Sequence, residues 1–196
     1  MKIAFLAAAL FTFAACKKAP PAVAQLRVTS PQTGIEFTLV GFEPNEEVVK
    51  GAPGEGKAPA LTPTGAPGTY QADIRWATSG PLATHPDGVL IGLNRIRAQA
   101  DDCLAAFIKQ FEPAGFEFMG SPEPVDSGGI KGTLVKSKVT VTRANVVGPL
   151  VALNLIFPHE GTCYRFEAVT AELAYDKNRS LMETAVAAVK VLAAPP

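Results

Sequence analysis

Residues 146–157, VVGPLVALNLIF, carry apolar side chains on both parities of an extended chain. Successive side chains on a strand point to opposite faces. A segment of this kind must be covered from both sides, so the fold needs layers above and below a central strand. Pro149 cannot donate to a ladder, which places it near the start of that strand or at a bulge.

The surrounding segments supply the layers. Ile35, Phe37 and Leu39 alternate with Glu36 and Thr38, and Tyr70, Ala72, Ile74 and Trp76 alternate with Gln71, Asp73 and Arg75. A period of two marks half-buried strands with one wet face. Val89 to Ile96 reads as a further strand. Over residues 101–111, DDCLAAFIKQF, the period changes: Cys103, Leu104, Phe107, Ile108 and Phe111 follow helical spacing behind Asp101 and Asp102, whose charge suits a helix start. Pro113 and Gly115 should close this helix. Phe116 and Phe118 predict a short strand, and Asp126-Ser127-Gly128-Gly129 a turn. Residues 133–142 put Val135, Val139 and Val141 on one face, with Lys136, Lys138, Thr140 and Thr142 on the other. Tyr164, Phe166 and Ala168 continue the alternation. Ser180 and Glu183 have the spacing of a capping box, predicting a helix to about Leu192 that buries Leu181, Ala185, Ala188, Val189 and Leu192. This succession reads as α+β, a mainly antiparallel sheet with two packed helices. Residues 51–68 hold five glycines and four prolines and read as a loop within a single domain spanning 26–196.

The N-terminus points to an address. MKIAFLAAALFTFAAC has one basic residue, Lys2, followed by thirteen uncharged residues and then Cys16. Thirteen residues are too few to span a hydrocarbon core, which takes roughly 20 in a helix. A basic start, a short apolar run and small residues form the layout of a secretory signal over residues 1–15. Phe13-Ala14-Ala15-Cys16 resembles the lipobox of bacterial lipoproteins, departing from it in Phe13 where Leu is usual. That resemblance implies an acylated (palmitate-bearing) Cys16 as mature N-terminus, residues 16–25 as a tether, and the lipid bilayer as a partner. Lys17, rather than Asp, follows the cysteine, which implies the outer membrane facing the periplasm. A competing cut after Ala22-Val23-Ala24 stays open, although Lys17, Lys18 and two prolines separate it from the apolar run.

The other two cysteines fit export. An unpaired thiol is a liability in an oxidising compartment. With Cys16 lipidated, Cys103 and Cys163 remain, and pairing them is the expected disulfide. Two separate buried thiols are the alternative. The charges balance at 18 basic and 18 acidic residues, which argues against general nucleic-acid binding.

From the apolar strand through TCYRFEAVTAELAYDKNRSLMETAVAAVKVL, residues 146–192 resemble the end of PsbP-like domains, a group that includes small bacterial lipoproteins. The resemblance implies an α/β/α sandwich that serves as an assembly or accessory factor, with no family-wide catalytic residues.

Chemistry-bearing residues are sparse. His85 and His159 sit in turn-like stretches; with Asp101 or Asp102, or a metal, either would serve a hydrolase. Their spacing matches no ligand motif, and turns collect His and Asp for backbone reasons. No nucleophile signature, zinc spacing or phosphate loop is present, and no cofactor is expected. Adjacent carboxylates at Glu46-Glu47 and Asp101-Asp102 point apart. Lys136 and Lys138, with Lys131 and Arg143 nearby, could offer an anion-contact strip, or simply be the wet side of a strand. The expected function is therefore a non-catalytic envelope lipoprotein that binds another envelope component or aids assembly. A hydrolase is the rival, and a carrier of apolar ligands would need a cavity beneath residues 146–157.

Overall fold

The computed structural model describes residues 25–30, 33–42, 62–63, 69–71, 75–79, 88–99, 102–112, 115–143 and 146–192. These form two sheets and two helices, α+β as the change of periods indicates. The smaller sheet contains β1 (Gln25–Thr29), β2 (Ile35–Val40), β3 (Thr62–Pro63), β4 (Thr69–Gln71) and β12 (Lys190–Val191), in the order β12-β2-β1-β4-β3. The larger runs β5-β6-β11-β10-β9-β7, from β5 (Arg75–Ser79), β6 (Val89–Gln99), β11 (Thr162–Ala171), β10 (Val146–His159), β9 (Ile130–Arg143) and β7 (Phe116–Phe118), with β8 (Glu123–Ser127) also on β9. All pairs are antiparallel except β1 with β4. Helix α1 (Cys103–Phe111) lies on one face of the larger sheet; α2 (Tyr175–Ala187) and the smaller sheet lie on the other.

The central strand meets its requirement. Val151 to Phe157 are all buried. Val151, Leu153, Leu155 and Phe157 join the core shared with Phe37, Phe166 and Met182, whereas Ile156 packs with Cys103, Phe107, Val135 and Cys163 under α1. Pro149 lies on a stretch of β10 that is paired with β9 only, because the β11 register begins at Leu150. Its missing N–H therefore falls outside the stretch of β10 that is paired on both sides.

Several local readings are corrected. Of the expected strand over 70–76, residues 69–71 and 75–76 fall in β4 and β5, and 72–74 lie outside the described residues, as does most of the 51–68 segment. The capping box is unused. A 3₁₀ turn (Glu172–Ala174) leads straight into α2 at Tyr175, so Ser180 is mid-helix and Glu183 pairs with Arg179 at 2.8 Å instead. The helix stops at Ala187, and its buried face holds Tyr175, Asn178, Met182, Ala185 and Val186. Lys190 and Val191 leave the expected helix to pair with β2. The backbone N–H of Val191 also donates to the Gly128 carbonyl, 2.9 Å away. Gly128 and Gly129 form the β8–β9 turn with φ of 61° and 77°, the left-handed pair that a tight two-residue hairpin demands.

Candidate functional site

An open groove of about 580 Å³ lies between the start of α1, the β8–β9 hairpin and the far end of β10. Asp102, Cys103, Pro124, Asp126, Lys131 and Ile156 are on its walls. Gly132 shapes the floor: a Cβ there would collide with the Ile156 carbonyl, so only glycine lets β9 sit this close. The charged groups already have structural roles. Asp102 caps α1, its Oδ1 accepting from the Ala105 amide at 3.0 Å, and Asp126 lies opposite Lys131 across the hairpin.

Cys103 and Cys163 are joined by a disulfide with their Cα atoms 5.4 Å apart. The bond ties the first turn of α1 to the start of β11. Cys163 is fully buried, and Cys103 contributes to the groove wall.

A second cleft, of about 200 Å³, opens beneath the central strand between the hairpin and α2. Val125, Leu134, Leu153, Leu155, Val186 and Val189 line it, and Glu183 and Ser127 lie among the lining residues. It provides the cavity a carrier would need, but below the roughly 300–1,000 Å³ of ordinary small-molecule sites.

The other singled-out residues, where they are described, do not converge. His159 lies on the face of β10 opposite the groove, next to Gly34, with its ring 6.3 Å from that of Tyr164. Its Nε2 is buried without a hydrogen-bond partner among the described residues, and Glu160 Oε1 is 3.9 Å off. His85, Asp101, Glu46, Glu47 and Cys16 lie outside the described residues. Among the described residues, no three His, Cys, Asp or Glu side chains gather where a metal could sit. Lys136 and Lys138 are on the core side of β9 rather than a bare wet face. Lys136 Nζ sits 4.0 Å above the Tyr175 ring, and Lys138 Nζ is 2.7 Å from Glu172 Oε1. Val135 is buried as its face was expected to be; the expectation missed only that the lysine face is covered too, since long lysine stems can cross apolar surface to reach a partner.

Two charged clusters escaped the sequence reading. Arg165 and Glu167 share the α1-facing parity of β11. Arg165 Nη2 is 2.7 Å from Glu167 Oε1, Asn94 Nδ2 donates to the same oxygen at 2.8 Å, and the guanidinium lies 4.2 Å from the Phe111 ring centre. Burial pushes the Glu167 carboxyl above its ordinary range against the pull of Arg165, and pushes Arg165 down. Their parity, between Cys163 and Val169, was available in the sequence; what hid them was the expectation that this face is wet. The second cluster is Glu36, 1% exposed, with Arg27 Nε donating at 2.8 Å and Lys190 Nζ 2.7 Å away. Burial raises the Glu36 carboxyl, but the hydrogen bonds and charges of Arg27 and Lys190 outweigh it and hold the group below the usual range.

These features define a bridged, two-sheet α+β domain whose described residues form an open groove and a small apolar cleft. No protein-family model matches the chain, and no curated protein does. Solved structures do resemble it. The cyanobacterial PsbP, CyanoP, of Synechocystis sp. PCC 6803 matches with a TM-score of 0.50 at 18% identity, over 91% of this chain and 98% of that one. LpqN of Mycobacterium tuberculosis, involved in cell envelope biogenesis, gives 0.46 at 11% identity over 87% and 92%. A Pseudomonas aeruginosa protein of unknown function gives 0.43 at 14% identity, over 63% and 83%. The PsbP-like fold thus extends well beyond the C-terminal third in which the sequence suggested it.

Proposed function

We propose that this chain is a non-catalytic cell-envelope lipoprotein: a signal over residues 1–15, an acylated Cys16, a tether to residue 25, and one α+β domain acting as a binding or assembly accessory on the periplasmic side of the outer membrane. The observation that carries the reading is the partition of the three cysteines. Cys103 and Cys163 are bridged, so the third falls where a thirteen-residue apolar run ends, in Phe13-Ala14-Ala15-Cys16. The uses found for the polar groups agree with a binding role. Asp102 caps a helix, Lys138 pairs with Glu172, and His159 stands on the opposite face from the groove. The groove by the hairpin is the surface best shaped to take a partner from the envelope.

The test is fractionation of cells producing the wild type or Cys16→Ser, followed by crosslinking in intact envelopes. The wild type should enter the detergent phase and the variant should accumulate as unprocessed precursor. Equal processing and equal aqueous partitioning of both would overturn the reading. Crosslinks recovered from the groove should run to another envelope component.

A further inference from the structure

The space between the β8–β9 hairpin and α2 is left unfilled. The side chains on its two flanks are short: Val125 on β8, with Val186, Ala187 and Val189 at the end of α2 and just past it. They do not fill the gap, and a cleft of about 200 Å³ stays open between them. Among the described residues its floor is aliphatic, with Leu153 and Leu155 from β10 and Val186 and Val189 all buried. Val125 and Leu134 are half-buried walls, whereas Ser127 and Glu183 are exposed and mark the mouth.

The frame around this cleft is fixed on each side. The hairpin tip already rests on the segment after α2: the Val191 amide donates to the Gly128 carbonyl at 2.9 Å, and a Cβ on Gly128 would come within 2.8 Å of the Val189 carbonyl. Farther down the hairpin, Gly132 brings β9 so close to the Ile156 carbonyl that no side chain would fit between them. Helix α2 is held in turn by Met182 and Ala185, both buried in the core. Protein interiors ordinarily leave few voids larger than a water molecule. Here the hairpin cannot sink toward α2 without a backbone collision, so the void persists by construction.

Water is a poor occupant for such a space, because a buried water needs about two to four polar partners. The floor and walls present only aliphatic side chains, and at the mouth Glu183 Oε1 is already held by Arg179 at 2.8 Å. An apolar cavity of about 150 Å³ lined by Leu, Ile and Phe stays dry and admits benzene. We propose that this cleft is a binding site for a small, neutral apolar molecule about the size of one aromatic ring. A charged ligand is excluded, since nothing on the floor could pair with it. A whole acyl chain is excluded by volume, which lies below that of ordinary small-molecule sites. A side chain inserted by a protein partner is disfavoured, because the partner's backbone would cover the exposed Glu183–Arg179 pair and strip it of water. The site belongs to the folded domain, so the proposal does not depend on the tether reading.

The experiment is methyl NMR on the full chain as isolated from cells, titrated with toluene and, separately, with 1-decanol. Toluene should shift the methyl signals of Leu155, Val186 and Val189 saturably and leave those of Leu26 and Val28, in the smaller sheet, unmoved. Val125→Phe should fill the cleft with its own ring and abolish the saturable shift. Leu134→Phe should do the same from the other wall, so either variant that folds suffices. Absence of a saturable shift in the wild type, or a shift that survives undiminished in the filled variants, would overturn the site. Saturation by 1-decanol but not by toluene would make the cleft a chain-binding site and overturn the ligand class.

Discussion

Glu36 is the residue on which the two ends of the domain meet. It lies in β2, yet its carboxylate takes Arg27 from β1 and Lys190 from β12. The carboxylate is covered, while the side chains of Arg27 and Lys190 stay about half exposed at 55% and 47%, so solvent screens part of the attraction. Glu36→Gln should therefore cost toward the lower end of about 1.5–3 kcal/mol, the range for hydrogen bonds to a charged group, read from urea unfolding at neutral pH. The sign of its pH dependence follows from the lowered carboxyl. The folded state binds fewer protons than the unfolded one, so the contribution is complete above the unfolded pKa of about 4.3 and is lost as pH falls through the lower folded value. Wild type and Glu36→Gln should converge in stability on acidification. A gap that persists at pH 2–3 would show that the ion cluster is not its source. In the sequence, Glu36 reads as the polar partner of Ile35 and Phe37 on a wet face. Nothing local reveals that a lysine more than 150 residues later arrives beside it, because that depends on Lys190 leaving the last helix to become a strand.

Among the elements, helix starts separate what was legible from what was not. Asp101-Asp102 before an apolar rhythm correctly marked the start of α1, because a capping side chain acts within one turn. Ser180 and Glu183 carry the same kind of signal and are not a start at all. Tertiary burial of Tyr175 and Asn178 extends the helix backward over them, so packing overrides a local capping preference. The two cases give opposite expectations. Asp102→Ala should lose about 1 kcal/mol as a lost cap, whereas Ser180→Ala, exposed and mid-helix, should stay within about 0.5 kcal/mol. Equal losses on chemical denaturation would contradict the observed boundaries. Helix α1 is held to the sheet by Phe107 and by the Cys103–Cys163 bond, which closes a separation of 60 residues. The loop-entropy model gives roughly 4 kcal/mol for such a closure, within a measured range of about 0–5. The double change Cys103→Ala, Cys163→Ala should accordingly lower unfolding stability by about 2–4 kcal/mol, and reducing agent should lower the wild type by a like amount while leaving the double variant unmoved.

For the whole molecule, periodicity conveyed the class and the buried strand, since a segment apolar on both parities permits only a layered answer. It did not convey that the strands divide between two sheets, because which strands pair is settled by contacts far apart in sequence, as with Val28 against both Phe37 and Tyr70. Nor did it convey the groove, whose floor depends on the close approach at Gly132. The account that joins these levels is of a disulfide-bridged α+β domain carried to a membrane on Cys16. Its most direct test is the intact mass of the protein extracted from the envelope, denatured without reduction and treated with a thiol-alkylating reagent. The account predicts a chain beginning at Cys16, heavier by its acyl groups, with no alkyl label on Cys103 or Cys163. A chain beginning at Gln25 without lipid, or one that takes up two labels, would contradict it.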